Sequence, residues 1–101
     1  MFVERRKQKY FLCDFLIKPD RLDMETLREA IGVVMKQLYG ECESCFDFDV
    51  VCLRGNSFVV RSTAQSCEKV KCALFFLSEH EKQFYAVHIK RISPHPFVPI
   101  E

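Results

Sequence analysis

The stretch Arg54-Gly55-Asn56-Ser57-Phe58-Val59-Val60-Arg61, "RGNSFVVR", decides the topology of this chain. Residues 46–54 before the loop, "FDFDVVCLR", begin with apolar–acidic alternation and then run apolar. Residues 57–62 after it, "SFVVRS", are again aromatic and β-branched. Both halves read as strands, and only Gly55 and Asn56 lie between them. A two-residue loop of Gly and Asn takes positive φ values and fits a tight hairpin turn. Pairing across that turn sets Arg54 opposite Ser57, Cys52 opposite Val59 and Val50 opposite Arg61. One face of the hairpin then carries Phe48, Val50, Cys52, Arg54, Val59 and Arg61. The other carries Val51, Leu53, Phe58 and Val60.

Upstream, residues 8–17, "QKYFLCDFLI", read as a strand that ends before Pro19. A helix follows in "LDMETLREAIGVVMKQLYG". Asp23 is its N-cap, Glu25 favours the dipole in its first turn, and Leu22 with Leu27 form a hydrophobic staple. Leu27, Ile31, Val34 and Leu38 recur at helical spacing, Val33 and Met35 widen that stripe, and Gly40 closes the helix with positive φ. Downstream, "CEKVKCALFFL" places Cys67, Val70, Leu74 and Leu77 on one helical face, with Phe75 and Phe76 beside it. Residues 82–92, "KQFYAVHIKRI", alternate as a last strand and stop before Pro94. The order is strand, helix, strand, strand, helix, strand. This predicts an α+β, ferredoxin-like βαββαβ sandwich, the order also of RNA-recognition domains, with two helices on one face of a four-stranded antiparallel sheet. One domain spans 1–101, with a basic arm at 1–8 and an extended Pro-rich tail at 93–101.

Two helices cover only one sheet face, yet both faces are apolar. Phe11, Cys13, Phe15 and Ile17 alternate in the first strand with Tyr10, Leu12 and Leu16, and both faces of the hairpin carry aliphatics. Antiparallel sheets with one wet face show cleaner alternation, so the excess marks a subunit whose second face meets another protein. The expected partner-interface residues are Val50, Cys52, Arg54, Val59 and Arg61 on the open face, with Phe75 and Phe76 on the second helix. The hairpin also approximates the octapeptide K/R-G-F/Y-G/A-F-V-x-F/Y of RNA-recognition strands. Asn56 and Arg61 stand where its stacking aromatics belong, so base stacking loses much of its basis, and Phe58 reads as a core residue.

The chain has 101 residues, 49% of them hydrophobic, ten of them Phe, and a net charge of +1. That charge is small for a protein gripping RNA alone, since affinity comes from neutralised phosphates. RNA contact is therefore expected from the cluster Arg5, Arg6, Lys7 and Lys9; a second cluster is His88, Lys90 and Arg91. There is no apolar run of membrane-spanning length and no secretory signal pattern, and six Cys read as free thiols of a reducing compartment. Cys42 and Cys45 form a single C-x-x-C, short of the four ligands of a structural zinc site, and His80, His88 and His95 make no ligand spacing. No nucleophile–base set, P-loop or Gly-rich dinucleotide loop is present. No metal, cofactor or catalytic role is expected.

The residues resemble a family. Leu38-Tyr39-Gly40-Glu41 at the end of the first helix, Val59-Val60-Arg61 running without a gap into "STAQSCEKVKCALFFL", and "HIKRISPHPF" with its Ser93-Pro94 ending are similar to the small ferredoxin-like protein subunits of ribonuclease P and ribonuclease MRP, closest to the fourteen-kilodalton eukaryotic members. Val70, Ala73, Leu74 and Leu77 fall on apolar positions of that family's second helix. The resemblance runs from Tyr10 to Phe97; the hairpin loop is shorter than the family's, and the long C-terminal extension of the paralogous subunit is missing. It implies a non-catalytic subunit of an RNA-based endonuclease that removes 5′ leaders from precursor tRNA. The implied partners are a larger barrel-like protein, a paralogous ferredoxin-like subunit and the catalytic RNA, directly or through other subunits; the implied place is the nucleus, in the nucleolus. Two other classes stay open: a stand-alone RNA-recognition module, and a ferredoxin-like regulatory domain for a small ligand.

Overall fold

A computed structural model describes residues 8–40 and 48–94. The elements are β1 (Gln8–Ile17), α1 (Met24–Tyr39), β2 (Phe48–Arg54), β3 (Ser57–Thr63), α2 (Cys67–Phe76), β4 (Glu79–His80), β5 (Gln83–Phe84) and β6 (Ala86–Ser93). Arg5, Arg6 and Lys7, the Cys42–Cys45 pair, Phe46 with Asp47, and the tail beyond Pro94 lie outside the described residues. β2, β3, β1 and β6 form one sheet in that order, and every neighbouring pair is antiparallel. This is the expected ferredoxin-like arrangement. Among the described residues no helix is long and apolar enough to cross a membrane.

The helices form where local chemistry asks for them. The Asp23 carboxylate accepts the Thr26 amide at 2.7 Å, which satisfies one orphan donor of the first turn and holds the acid's pKa below its ordinary value. Gly40 ends α1 with φ 84°, its N–H donating to the Lys36 carbonyl at 2.8 Å. Leu27, Ala30, Ile31, Val34 and Met35 of α1 bury against the sheet, as do Val70, Ala73 and Leu74 of α2. From the sheet they meet Phe11, Cys13, Phe15, Val50, Phe58 and Val60, so both helices pack on one face. Val33 and Leu38 were expected in this stripe but are exposed. Val33 lies off the buried face of α1, beside Val34, and Leu38 lies in the last turn, beyond the buried residues of α1.

The β2–β3 turn departs from expectation in one detail. Gly55 alone takes positive φ, at 57°, and Asn56 does not, the pattern of a turn that needs Gly only at its first central position. Asn56 is occupied otherwise. Its side-chain amide donates to the Phe15 carbonyl at 2.8 Å and its own carbonyl accepts the Phe15 N–H at 2.9 Å, while the Lys18 ammonium donates to the Gly55 carbonyl at 2.6 Å. The hairpin tip is thereby latched to the end of β1.

A second departure lies between α2 and β6. Residues 79–84 form a small hairpin, β4 with β5, turning through Glu81 at φ 50° and Lys82 at φ 65°. Neither is Gly or Asn, so the usual sequence signal of such a turn is absent. The hairpin is anchored at its base by Tyr85 N–H to Ser78 O at 2.8 Å and at its tip by His80 Nε2, 3.1 Å from Glu29 Oε1 on α1. The last strand consequently starts at Ala86 rather than at residue 82.

Candidate protein-interaction site

The register of the sheet decides what each face offers. Arg54 pairs with Ser57 and Cys52 with Val59, as expected. Beyond Cys52 the register shifts: Val51 is an extra residue, Val50 pairs with Val60, and Asp49 pairs with Arg61. A one-residue bulge reverses which side chains point inward. Val50 is therefore 4% exposed in the helix-facing core, not on the open face beside Arg61 where regular pairing puts it. Of the expected apolar stripe only Cys52 and Val59 share the open face, and Val59, between Leu12 and Cys52, is itself 1% exposed.

The open face is thus more polar than alternation suggested. Arg61 has Tyr10 and Asp49 as its cross-strand partners. Asp14 accepts the Ser57 hydroxyl at 2.7 Å and lies 3.5 Å from the Lys90 ammonium. Tyr10 is the aromatic of β1 on this face, and its hydroxyl donates to Gln8 at 3.1 Å. A single ring is a poor platform for successive bases.

The apolar surface concentrates elsewhere. Phe75 is 83% exposed and Phe76 61%, their rings 6.5 Å apart in an edge-on arrangement. Val70, Ala73, Leu74 and Leu77 already occupy the inward stripe of α2, so both rings project away from the sheet. Phe75 forms one wall of a groove of about 710 Å³ between α2 and β6, with Cys72 beside it and Val87, Ile89 and Ile92 across from it. Lys71 and Glu68 line the same groove from α2, and the β6 residues His88, Lys90 and Arg91 border it while their register with β1 turns His88 and Arg91 to the other face. Alanine-scan logic makes exposed aromatics in a concave apolar setting candidates for interface anchors.

Of the residues singled out in the sequence, Phe75 and Phe76 lie together on the outside of α2. Cys52, Arg54, Val59 and Arg61 lie together on the opposite face of the sheet. Lys9 is the one member of the N-terminal basic cluster within the described residues. Sequence reasoning missed two features: the groove wall contributed by β6, and a cluster in which Glu29, His80 and Glu81 bring ligand-type atoms within 4.8 Å of one another. No sequence spacing joins Glu29 to His80; the β4–β5 hairpin does so by folding back on α1. His80 lies between two exposed carboxylates there, at 3.1 Å and 3.7 Å, and the contact clasps hairpin to helix.

The same architecture is present in a ribonuclease MRP. A chain of the cryo-EM structure of yeast ribonuclease MRP superposes with TM-score 0.77, over 98% of this chain and 83% of that one. The two sequences are 12% identical, so the likeness is one of fold. No protein-family model and no curated protein matches the chain.

Proposed function

We propose that this chain is a non-catalytic protein subunit of a ribonuclease P or ribonuclease MRP ribonucleoprotein, of the fourteen-kilodalton eukaryotic type. The observation that carries the reading is the correspondence of fold along 98% of the chain with a chain of yeast ribonuclease MRP. The site is consistent with it: two adjacent aromatics are exposed on α2 and one of them, Phe75, walls an apolar groove, which is the chemistry of protein contact. The chain acts as a scaffold. It joins a larger barrel-like protein and a paralogous ferredoxin-like subunit in the nucleolus, and the RNA performs the cleavage of precursor tRNA leaders. Arg5, Arg6, Lys7 and Lys9 supply such RNA contact as the subunit makes, and Arg61 serves protein contact.

Affinity purification of the tagged chain, followed by sequencing of bound RNA, tests the reading. The expected result is enrichment of the ribonuclease P RNA, the MRP RNA, or both. Recovery of the chain with neither RNA overturns it. Neutralising Arg5, Arg6, Lys7 and Lys9 in the assembled complex should flatten the salt dependence of RNA binding by roughly one unit of slope per lost phosphate contact, and Arg61→Ala should leave that slope unchanged.

A further inference from the structure

β6 is an edge strand. Among the described residues it pairs with β1 on one side and with no strand on the other. Such an edge presents a row of backbone donors and acceptors that can receive another strand. Its two faces differ in chemistry. On the helix side, Val87 and Ile89 pack against the core, Ile92 is exposed, and Phe75 stands beyond them across the groove. On the other side, His88 lies opposite Asp14 and Arg91 opposite Leu12, and the Lys90 ammonium reaches Asp14.

We propose that the outer edge of β6 is a strand-acceptor site for an extended segment of a partner protein in which apolar and acidic residues alternate. An added strand would sit about 4.8 Å from β6, with successive side chains on opposite faces. Its apolar residues fill the groove against Phe75, Cys72 and Ile92. Its acidic residues lie on the other face beside His88, Lys90 and Arg91, where Asp14 answers only part of the charge. A second copy of this chain is a poor occupant, because it would set its own three basic residues against these, and like charges directly opposite destabilise a pair. RNA could use the cations but not the backbone edge or the apolar wall. The edge is also guarded: the register with β1 shifts between Leu12 and Cys13, at Lys90. A bulge and a Lys on an edge discourage indiscriminate pairing, and they leave admission to a strand of complementary charge. The inference deepens the subunit reading by naming the chemistry of one partner, and it can fail without that reading failing.

The test uses the full chain and four synthetic probes of 8 residues, the length of β6. One alternates Val and Glu; one has the same composition in two blocks; one alternates Val and Lys; one alternates Val and Glu with every second amide methylated. Fluorescence anisotropy should show the first probe binding roughly tenfold more tightly than each of the others, as several cross-strand pairs together allow. Its binding should slow amide exchange along β6. In Lys90→Glu/Arg91→Glu the preference should pass to the Val–Lys probe. The methylated probe leaves the protein untouched, so its loss of binding reads the backbone edge whether or not the variant folds. Equal binding of the alternating and block probes, indifference to methylation, or protection of β6 by an RNA oligonucleotide and not by the Val–Glu probe overturns the proposal. Failure of the probes while the chain still recovers ribonuclease P or MRP RNA removes this inference alone.

Discussion

Val50 faces Val60 across the β2–β3 hairpin, and Arg61 faces Asp49, because Val51 is inserted between two regular stretches of β2. The two adjacent valines therefore have opposite fates: Val50 is in the core and Val51 is 43% exposed. Val50→Ala should destabilise the domain by about 1–3 kcal/mol, the cost of removing buried methyl groups. Val51→Ala should change stability by no more than about 0.5 kcal/mol. Denaturant melts of the two variants check this, and equal costs would mean that the pairing runs without the bulge.

Phe75 and Phe76 give the complementary case. Both rings project from α2, so Phe75→Ala and Phe76→Ala should leave the melting of the isolated domain nearly unchanged. Assembly with a protein partner should weaken by about 1–3 kcal/mol for at least one of them, as for an interface anchor. Pull-down titrations beside thermal melts separate the two effects. A large loss of thermal stability with unaltered assembly would assign the rings to the core.

Tyr85 is buried, its hydroxyl has no hydrogen-bond partner among the described residues, and burial pushes its pKa up. A buried polar atom without a partner costs the desolvation it never recovers. Tyr85→Phe should therefore be neutral or stabilising, by up to about 1 kcal/mol. Loss of stability in a urea titration would show that the hydroxyl is satisfied in solution.

Cys13 sits in the core beneath both helices, where burial first, and the neighbouring Asp14 charge second, push its thiol up to about 12. In the unfolded chain the same thiol ionises near its ordinary value of 9.0. The folded state then keeps a proton that the unfolded state sheds. Stability from this group is complete below about pH 9 and is lost as the pH rises toward 12, with a slope approaching about 1.4 kcal/mol per pH unit. Cys13→Ala should lower stability at neutral pH by leaving a small cavity, yet flatten the alkaline decline. Unfolding free energies at pH 7.5, 9 and 10 (roughly spanning the onset of the effect) check both signs.

The elements were legible wherever local chemistry and periodicity agreed. Asp23, Gly40 and the spacing of Leu27, Ile31 and Val34 specify α1 between them, and the Gly55-Asn56 loop specifies the hairpin. The bulge was not legible, because Val50 and Val51 are the same residue type and nothing local tells which one leaves the alternation. The β4–β5 hairpin was invisible for a related reason: its turn is Glu81-Lys82, stabilised by contacts to Glu29 and Ser78 that no local window contains. Phe75 and Phe76 were readable because Val70, Leu74 and Leu77 already fill the inward stripe of α2. The groove that Phe75 borders needs β6 beside α2, a juxtaposition that only the folded chain makes.

The sheet order has a consequence for how the chain is made. Of the described strands β1 comes first in the chain, yet it lies in the interior of the sheet with β3 on one side and β6 on the other. Its neighbour β3 begins only at Ser57, and its other neighbour β6 only at Ala86. In the interval Phe11, Cys13 and Phe15 belong to a strand with one bare flank, the condition under which nascent chains aggregate. Pairing of β1 with β6 also demands closure of a long loop, which slows folding. A released chain truncated before Ala86 should accordingly hold a chaperone that the chain carrying β6 releases.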